Sequence, residues 1–181
     1  MKTLVAYYSR TGNNAYLAKR IAQELNADIE ALKPGIGIFP VLMLLSVLKW
    51  GSGVRALKND INQYDQIILC GPIWAGFLCS PLLDFVKKYK GQVKRFHYAT
   101  SCGSDDRRKD ETFGYARVFQ QVKAAAGEKM GTCEAFPLVL ALPEEKRSDD
   151  KEMLKTKISD ENFSGELTER LGQFVKRVPA E

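Results

Sequence analysis

The sequence predicts a doubly wound α/β fold, a five-stranded parallel sheet with helices on both faces. Short apolar runs alternate with longer amphipathic stretches, the order expected of repeated βαβ units. The clearest of these runs, Ile67-Ile68-Leu69-Cys70, shows no polar alternation, as a strand covered on both faces requires.

Residues 3–8 form the first predicted strand. A helix over residues 13–25 follows, with Tyr16, Leu17, Ile21 and Leu25 at helical spacing. Ile29 to Lys33 reads as a short second strand and residues 67–70 as the third. Leu82 to Tyr89 is helical, with Ser80 at the cap position and Pro81 in the first turn. Phe96 to Thr100 is the fourth strand, Phe113 to Ala126 a helix, and a fifth strand lies within residues 129–142. Residues 149–178 read as one or two helices, broken near Ser159-Asp160. No internal repeat, low-complexity tract or Gly/Ser-rich linker interrupts this alternation, so residues 1–181 are expected to form one domain, with an insertion at residues 34–58.

Composition narrows the class. Hydrophobic residues make up 45% and charged residues 27% of the 181, enough for a sizeable core and against disorder. Cys70, Cys79, Cys102 and Cys133 are scattered, with no Cys-x-x-Cys pair. With no signal-peptide pattern at the N-terminus, they predict reduced thiols and a cytoplasmic protein. His97 is the lone histidine and no cysteine cluster accompanies it, so no metal site is expected. It is read as a structural residue on or beside the fourth strand.

The first strand runs into Ser9-Arg10-Thr11-Gly12-Asn13-Asn14, and a helix opens at once behind it. Such a turn gathers backbone amides and two hydroxyls, and the helix adds its unpaired first-turn amides and the positive end of its dipole. That combination binds phosphate. There is no Gly-x-x-x-x-Gly-Lys spacing and no Gly-x-Gly-x-x-Gly, so neither a triphosphate loop nor a dinucleotide fingerprint is present. A monophosphate held mostly by neutral donors remains.

The turn resembles the flavodoxin phosphate loop, Ser/Thr-x-Thr-Gly-x-Thr, at its usual place near the N-terminus. Gly71-Pro72-Ile73-Trp74-Ala75-Gly76 is similar to the flavodoxin loop that carries an aromatic ring onto the flavin. Ala99-Thr100-Ser101-Cys102-Gly103 is similar to the loop around the pyrimidine edge of the flavin. All three follow predicted strands, in the family's order. The resemblance implies a flavodoxin-like sheet of strand order 2-1-3-4-5 and FMN as cofactor. The cofactor-binding residues it implies are Ser9, Arg10, Thr11, Gly12, Asn13 and Asn14 in the first loop. In the second they are Pro72, Ile73, Trp74, Ala75, Gly76 and Phe77, and in the third Ser101, Cys102, Gly103 and Asp105. Asn14 stands where the family usually has Thr; its amide is expected to serve as a phosphate donor instead.

Trp74 has two readings, a ring stacked on the flavin or one capping the sheet beneath a loop. Gly76 offers flexible backbone near the flavin. Cys102 reads as a small residue in a tight turn, with a reactive thiol as the alternative. The charge run over residues 105–111 reads as a solvated face, or as a rim over the flavin.

The apolar run over residues 36–50 is shorter than the roughly 20 residues of a membrane span and is apolar all round. Packing against the protein or a twin subunit is expected; contact with a membrane surface is the alternative, kept open by Lys49, Arg55 and Lys58. The net charge of +5 favours an acidic redox partner or an anionic small acceptor. No basic run is interleaved with aromatics, so nucleic acid is not expected. The expected function is electron transfer through FMN by a carrier with no catalytic residue. An NAD(P)H-dependent oxidoreductase acting on quinones or similar acceptors is the alternative.

Overall fold

The computed structural model describes residues 1–178. Its main sheet has five parallel strands: β1 (Thr3–Tyr7), β2 (Asp28–Ala31), β3 (Gln66–Cys70), β6 (Arg95–Cys102) and β7 (Met130–Pro137). They lie in the order β2-β1-β3-β6-β7. Numbered within the sheet this is 2-1-3-4-5, the expected order. Between β3 and β6 the chain makes an additional two-stranded antiparallel hairpin, β4 (Ile73–Trp74) and β5 (Phe77–Leu78).

The helices are α1 (Asn13–Leu25), α2 (Phe39–Val47), α3 (Ser80–Tyr89), α4 (Tyr115–Ala126), α5 (Asp150–Lys155) and α6 (Glu166–Arg177). Alternate residues of each central strand feed two cores. Leu4, Ala6, Ile67 and Leu69 pack with Phe85 of α3 and Val118 of α4. Val5, Ile68 and Ala99 pack with Leu17 and Ile21 of α1 and Leu171 and Phe174 of α6. Two-sided burial is why the central strands are apolar at consecutive positions. His97 is buried in β6, where the pairing with β7 shifts register, and its Nδ1 accepts from the Thr132 amide at 3.1 Å.

Two helix starts differ from the sequence pattern. Helix α3 is capped by Cys79 rather than Ser80; Ser80 lies inside it and donates to the Leu42 carbonyl at 3.2 Å. Helix α4 begins at Tyr115 rather than Phe113 because the Gly114 amide closes a turn onto the Glu111 carbonyl at 2.8 Å. The C-terminal stretch is two helices, separated by residues 156–165, which include Ser159 and Asp160.

The 34–58 segment leaves the edge strand and returns beside it through a Pro34–Val54 bridge. Buried Glu30 of β2 fastens its end, accepting from the Lys58 and Asn59 amides at 3.1 and 3.0 Å. Within it, Ser46 of α2 donates to the Leu42 carbonyl at 2.7 Å and accepts from the Ser80 amide at 2.8 Å, locking α2 onto the start of α3. Among the described residues, no helix is long and apolar enough to cross a membrane.

Candidate cofactor site

The three loops singled out above converge at the carboxyl ends of β1, β3 and β6. In the first, the Tyr8 amide extends the pairing with β3 by donating to the Cys70 carbonyl at 3.0 Å. The Ser9 hydroxyl accepts from the Gly12 amide at 3.2 Å. Gly12 is the N-cap of α1 at φ 102°, with no side-chain cap and no acidic residue in the first turn. A Cβ at Gly12 would meet no atom within 4 Å, so the space over this helix end is open. Positive dipole, uncapped amides and open space meet at one place. The Arg10 guanidinium lies 3.8 Å from the ring centre of Phe39 in α2.

Asn13 and Asn14 are both buried, and both carboxamides act structurally. The Asn14 side chain donates to the Ser101 carbonyl at 3.1 Å and accepts from the Ser101 amide at 2.8 Å. Asn13 donates to the Thr156 carbonyl and accepts from the Ile158 amide, both at 3.0 Å. The expected use of the Asn14 amide as a phosphate donor thus meets a competing partner. That leaves Ser9, Thr11 and the backbone as the donors of the loop.

The second loop is the β4–β5 hairpin. Its two-residue turn, Ala75-Gly76, has φ of 49° and 76°, the signature of a type I′ turn. The Gly76 peptide is braced: Gln121 of α4 donates to its carbonyl at 2.8 Å and accepts from the Leu78 amide at 3.1 Å. Sequence reasoning offered Gly76 as flexible backbone, but the bond to Gln121 restrains it. Gly71 lies tight against α3: a Cβ there would be 2.6 Å from Leu82 Cδ1, which would have to shift. Trp74 is 7% exposed and sits edge-on to Tyr8 and Phe39, with ring centres 5.6 and 5.2 Å away. Strand alternation explains this: Ile73 and Ala75 line the cleft described below, while Trp74 points to the core.

In the third loop, Ser101 is buried and its hydroxyl has no hydrogen-bond partner among the described residues. Burial pushes the Cys102 thiol up to about 12, so it stays protonated at neutral pH, as a small packing residue would. Asp105 closes the loop, accepting from Arg107 at 3.0 Å and from the Arg108 amide at 3.0 Å. Burial works to raise its carboxyl, but the Arg107 bond, the Arg108 amide and both nearby guanidinium charges outweigh it and hold the pKa below the ordinary value. The 105–111 run is therefore only partly a solvated face. Asp106, though exposed, is also tied to the fold, accepting from the Tyr115 hydroxyl at 2.5 Å and from the Arg170 guanidinium.

A lowered carboxyl pKa contributes stability at neutral pH that is lost as pH falls through the folded-state value. Acidification below about 4, the ordinary carboxylate range, is thus expected to loosen the third loop. Asp105→Asn should flatten the acid limb of a stability-versus-pH curve. An unchanged acid limb would show that Asp105 does not carry that dependence.

Between the second and third loops lies a cleft of about 280 Å³, lined by Ile73, Ala75, Cys102, Gly103 and Phe113 among others. Met153 and Leu154 of α5 complete it; a Cβ at Gly103 would be 3.1 Å from Met153 Sδ. Phe113 is 66% exposed on this cleft, an aromatic the sequence pattern assigned only to a helix start. Among the described residues, no group of three His, Cys, Asp or Glu side chains could hold a metal ion.

No family model matches the chain. It is 29% identical over 126 residues to an uncharacterised protein of Archaeoglobus fulgidus, covering 68% of this chain and 77% of that one. Among solved structures it is similar to a Lactobacillus acidophilus flavoprotein in complex with FMN, with a TM-score of 0.59, 18% identity, and coverage of 74% of this chain and 91% of that one. It is also similar to a Streptococcus pneumoniae flavodoxin, with a TM-score of 0.50, 14% identity and 99% coverage of both chains. The fold is flavodoxin-like. In the flavodoxin-like sheet the strand order reverses between β1 and β3, and ligands of open α/β sheets bind outside the strand ends at such a point, flavodoxins themselves being a known instance. The first two loops above leave that edge.

Proposed function

We propose that this chain binds FMN across the three loops and serves as an electron carrier in the cytoplasm. The uncapped, open N-terminus of α1 beneath the Ser9–Gly12 turn carries the proposal. It suits one phosphate, held by neutral donors and a helix dipole. The FMN complex of the similar Lactobacillus flavoprotein supports the same cofactor. Four scattered cysteines with no Cys-x-x-Cys pair fit a reducing compartment.

Ser9, Thr11 and the first-turn amides would hold the phosphate. Ile73, Ala75, Cys102 and Gly103 would border the ring, with Phe113 as the aromatic free to cover it. Trp74 would support the hairpin from behind. Bound there, FMN supplies the redox chemistry; the protein orients it and limits water. Arg10 and the +5 net charge favour an acidic partner protein or an anionic acceptor.

The test is a comparison of FMN with riboflavin, which lacks the phosphate. FMN should bind far more tightly, and Thr11→Ala should weaken it by about 1.5–3 kcal/mol, the range for hydrogen bonds to a charged group. Phe113→Ala should cost about 0.5–1.5 kcal/mol if its ring stacks on the flavin. Equal affinity for FMN and riboflavin would sink the phosphate assignment. NADPH added to the loaded protein should bleach the flavin slowly; rapid bleaching would make it a reductase instead.

A further inference from the structure

We propose that α2 and the groove beside it form a docking surface for an anionic lipid bilayer. Helix α2 has two apolar sides. One, through Leu42 and Ser46, is buried against the domain. The other, through Leu44, Val47 and Leu48, faces solvent, continued by Ile38 before the helix and Trp50 after it. Leu44 is 58% and Trp50 62% exposed. A helix apolar all round is normally covered on every side.

Charge identifies the cover. Residues 31–59 contain no Asp or Glu, but they do contain Lys33, Lys49, Arg55 and Lys58. A groove of about 480 Å³ adjoins the end of α2, where Lys49, Lys87 and Arg117 stand over an apolar lining that includes Leu78 and Leu83. Among the described residues none of these three cations forms an ion pair. Lys87 Nζ instead donates to the Lys49 carbonyl at 2.8 Å, securing the left-handed turn that presents Trp50.

A second copy of this chain is a poor cover. A twofold interface sets the same patch against itself, bringing two predominantly cationic surfaces together, since the one carboxylate beside residues 51–54, Asp84, is engaged by the Val54 amide at 2.7 Å. An anionic bilayer offers both requirements at once, acyl boundary for the apolar side chains and phosphates for the cations. Trp50 suits the headgroup level, where indole rings concentrate. Nine helical residues span roughly 14 Å against a hydrocarbon core of about 30 Å, so α2 lies in the plane of the surface. This surface stands on α2, Trp50 and the cations beside them and does not depend on the cofactor.

The full-length protein should sediment with vesicles of phosphatidylcholine and phosphatidylglycerol, but not with phosphatidylcholine alone. High salt should release it, since screening removes a contribution of about fivefold per cation. Trp50 emission should shift to the blue on binding, and Trp50→Phe should remove that shift. Leu44→Glu and Lys49→Glu should each weaken sedimentation at least about fivefold. Leu44 and Lys49 are exposed, and circular dichroism checks that both variants fold; should either unfold, the Trp50 shift in the unaltered chain decides. Absence of binding to mixed vesicles, or equal binding to neutral ones, would overturn the proposal. So would a dimer in solution that Leu44→Glu dissociates while vesicles leave the protein free.

Discussion

Asn14→Ala is expected to lower the unfolding midpoint by about 4–24 °C. The carboxamide pairs with both backbone groups of one residue, Ser101, at 3.1 and 2.8 Å, and its oxygen also accepts from the Cys70 thiol at 3.8 Å. Both residues are buried, so water does not replace the lost partner freely. Two backbone groups left unsatisfied cost about 1–3 kcal/mol each. For a domain of this size each kcal/mol moves the midpoint by about 2–4 °C. The chemistry also explains why Asn suits this position although flavodoxins usually have Thr. A carboxamide carries a donor and an acceptor in one plane and pairs with both groups of a peptide; a hydroxyl carries both functions on a single atom and is shorter. Asn14→Thr should therefore keep part of the FMN affinity while losing most of this stability. Scanning calorimetry of Asn14→Ala beside Ser9→Ala measures the effect. Ser9 is only half-buried, and its change should stay within about 1 kcal/mol. Equal losses would show that the Asn14–Ser101 link carries little.

The sheet was legible in the sequence because its central strands are buried on both faces. Ile67 to Cys70 had to be apolar at every position, and Leu4, Val5 and Ala6 send alternate side chains into two different cores. The three loops were legible because each follows such a strand. Their internal wiring was not. Asn13 and Asn14 look like helix-start residues, and their partners lie near Ser101 and Ile158, far along the chain. Trp74 looked available to a ligand because nothing local announced a hairpin. Ala75-Gly76 lacks the Asn-Gly or Asp-Gly pair that marks a type I′ turn. Without the hairpin, the alternation that turns Trp74 inward and Ile73 outward was invisible. Met153 and Leu154 came from a stretch whose pattern announced helices but not the loop they would cover. The apolar insertion stood out at once; that only one of its two sides is buried depends on the Ser46–Ser80 contact.

Gly76→Ala is expected to cost about 2–5 kcal/mol and to weaken FMN binding as well. Two effects add. At φ 76° an L side chain carries left-handed strain of about 1–2 kcal/mol. Its Cβ would also meet the Thr112 carbonyl oxygen at 2.2 Å and Phe113 Cα at 3.2 Å. The nearer atom is backbone and cannot swing aside, so the hairpin or the 112–113 segment must shift, at a further cost of about 1–3 kcal/mol. Both border the proposed flavin cleft through Ala75 and Phe113, so the displacement reaches the cofactor. Gln121 opposes the movement of the hairpin through its bonds to Gly76 and Leu78, which directs the strain toward the third loop. Gly12→Ala is the internal control. It too has positive φ, at 102°, but its Cβ would enter open space, so only the backbone strain applies. Urea titration of both variants without FMN separates the two contributions, and an FMN titration of Gly76→Ala measures the effect on the cofactor. Gly76→Ala should lose more stability than Gly12→Ala in the absence of FMN, and it should bind FMN more weakly than the unaltered chain. Matching losses for the two glycines would show that the close approach of the hairpin to Thr112 does not shape the cleft.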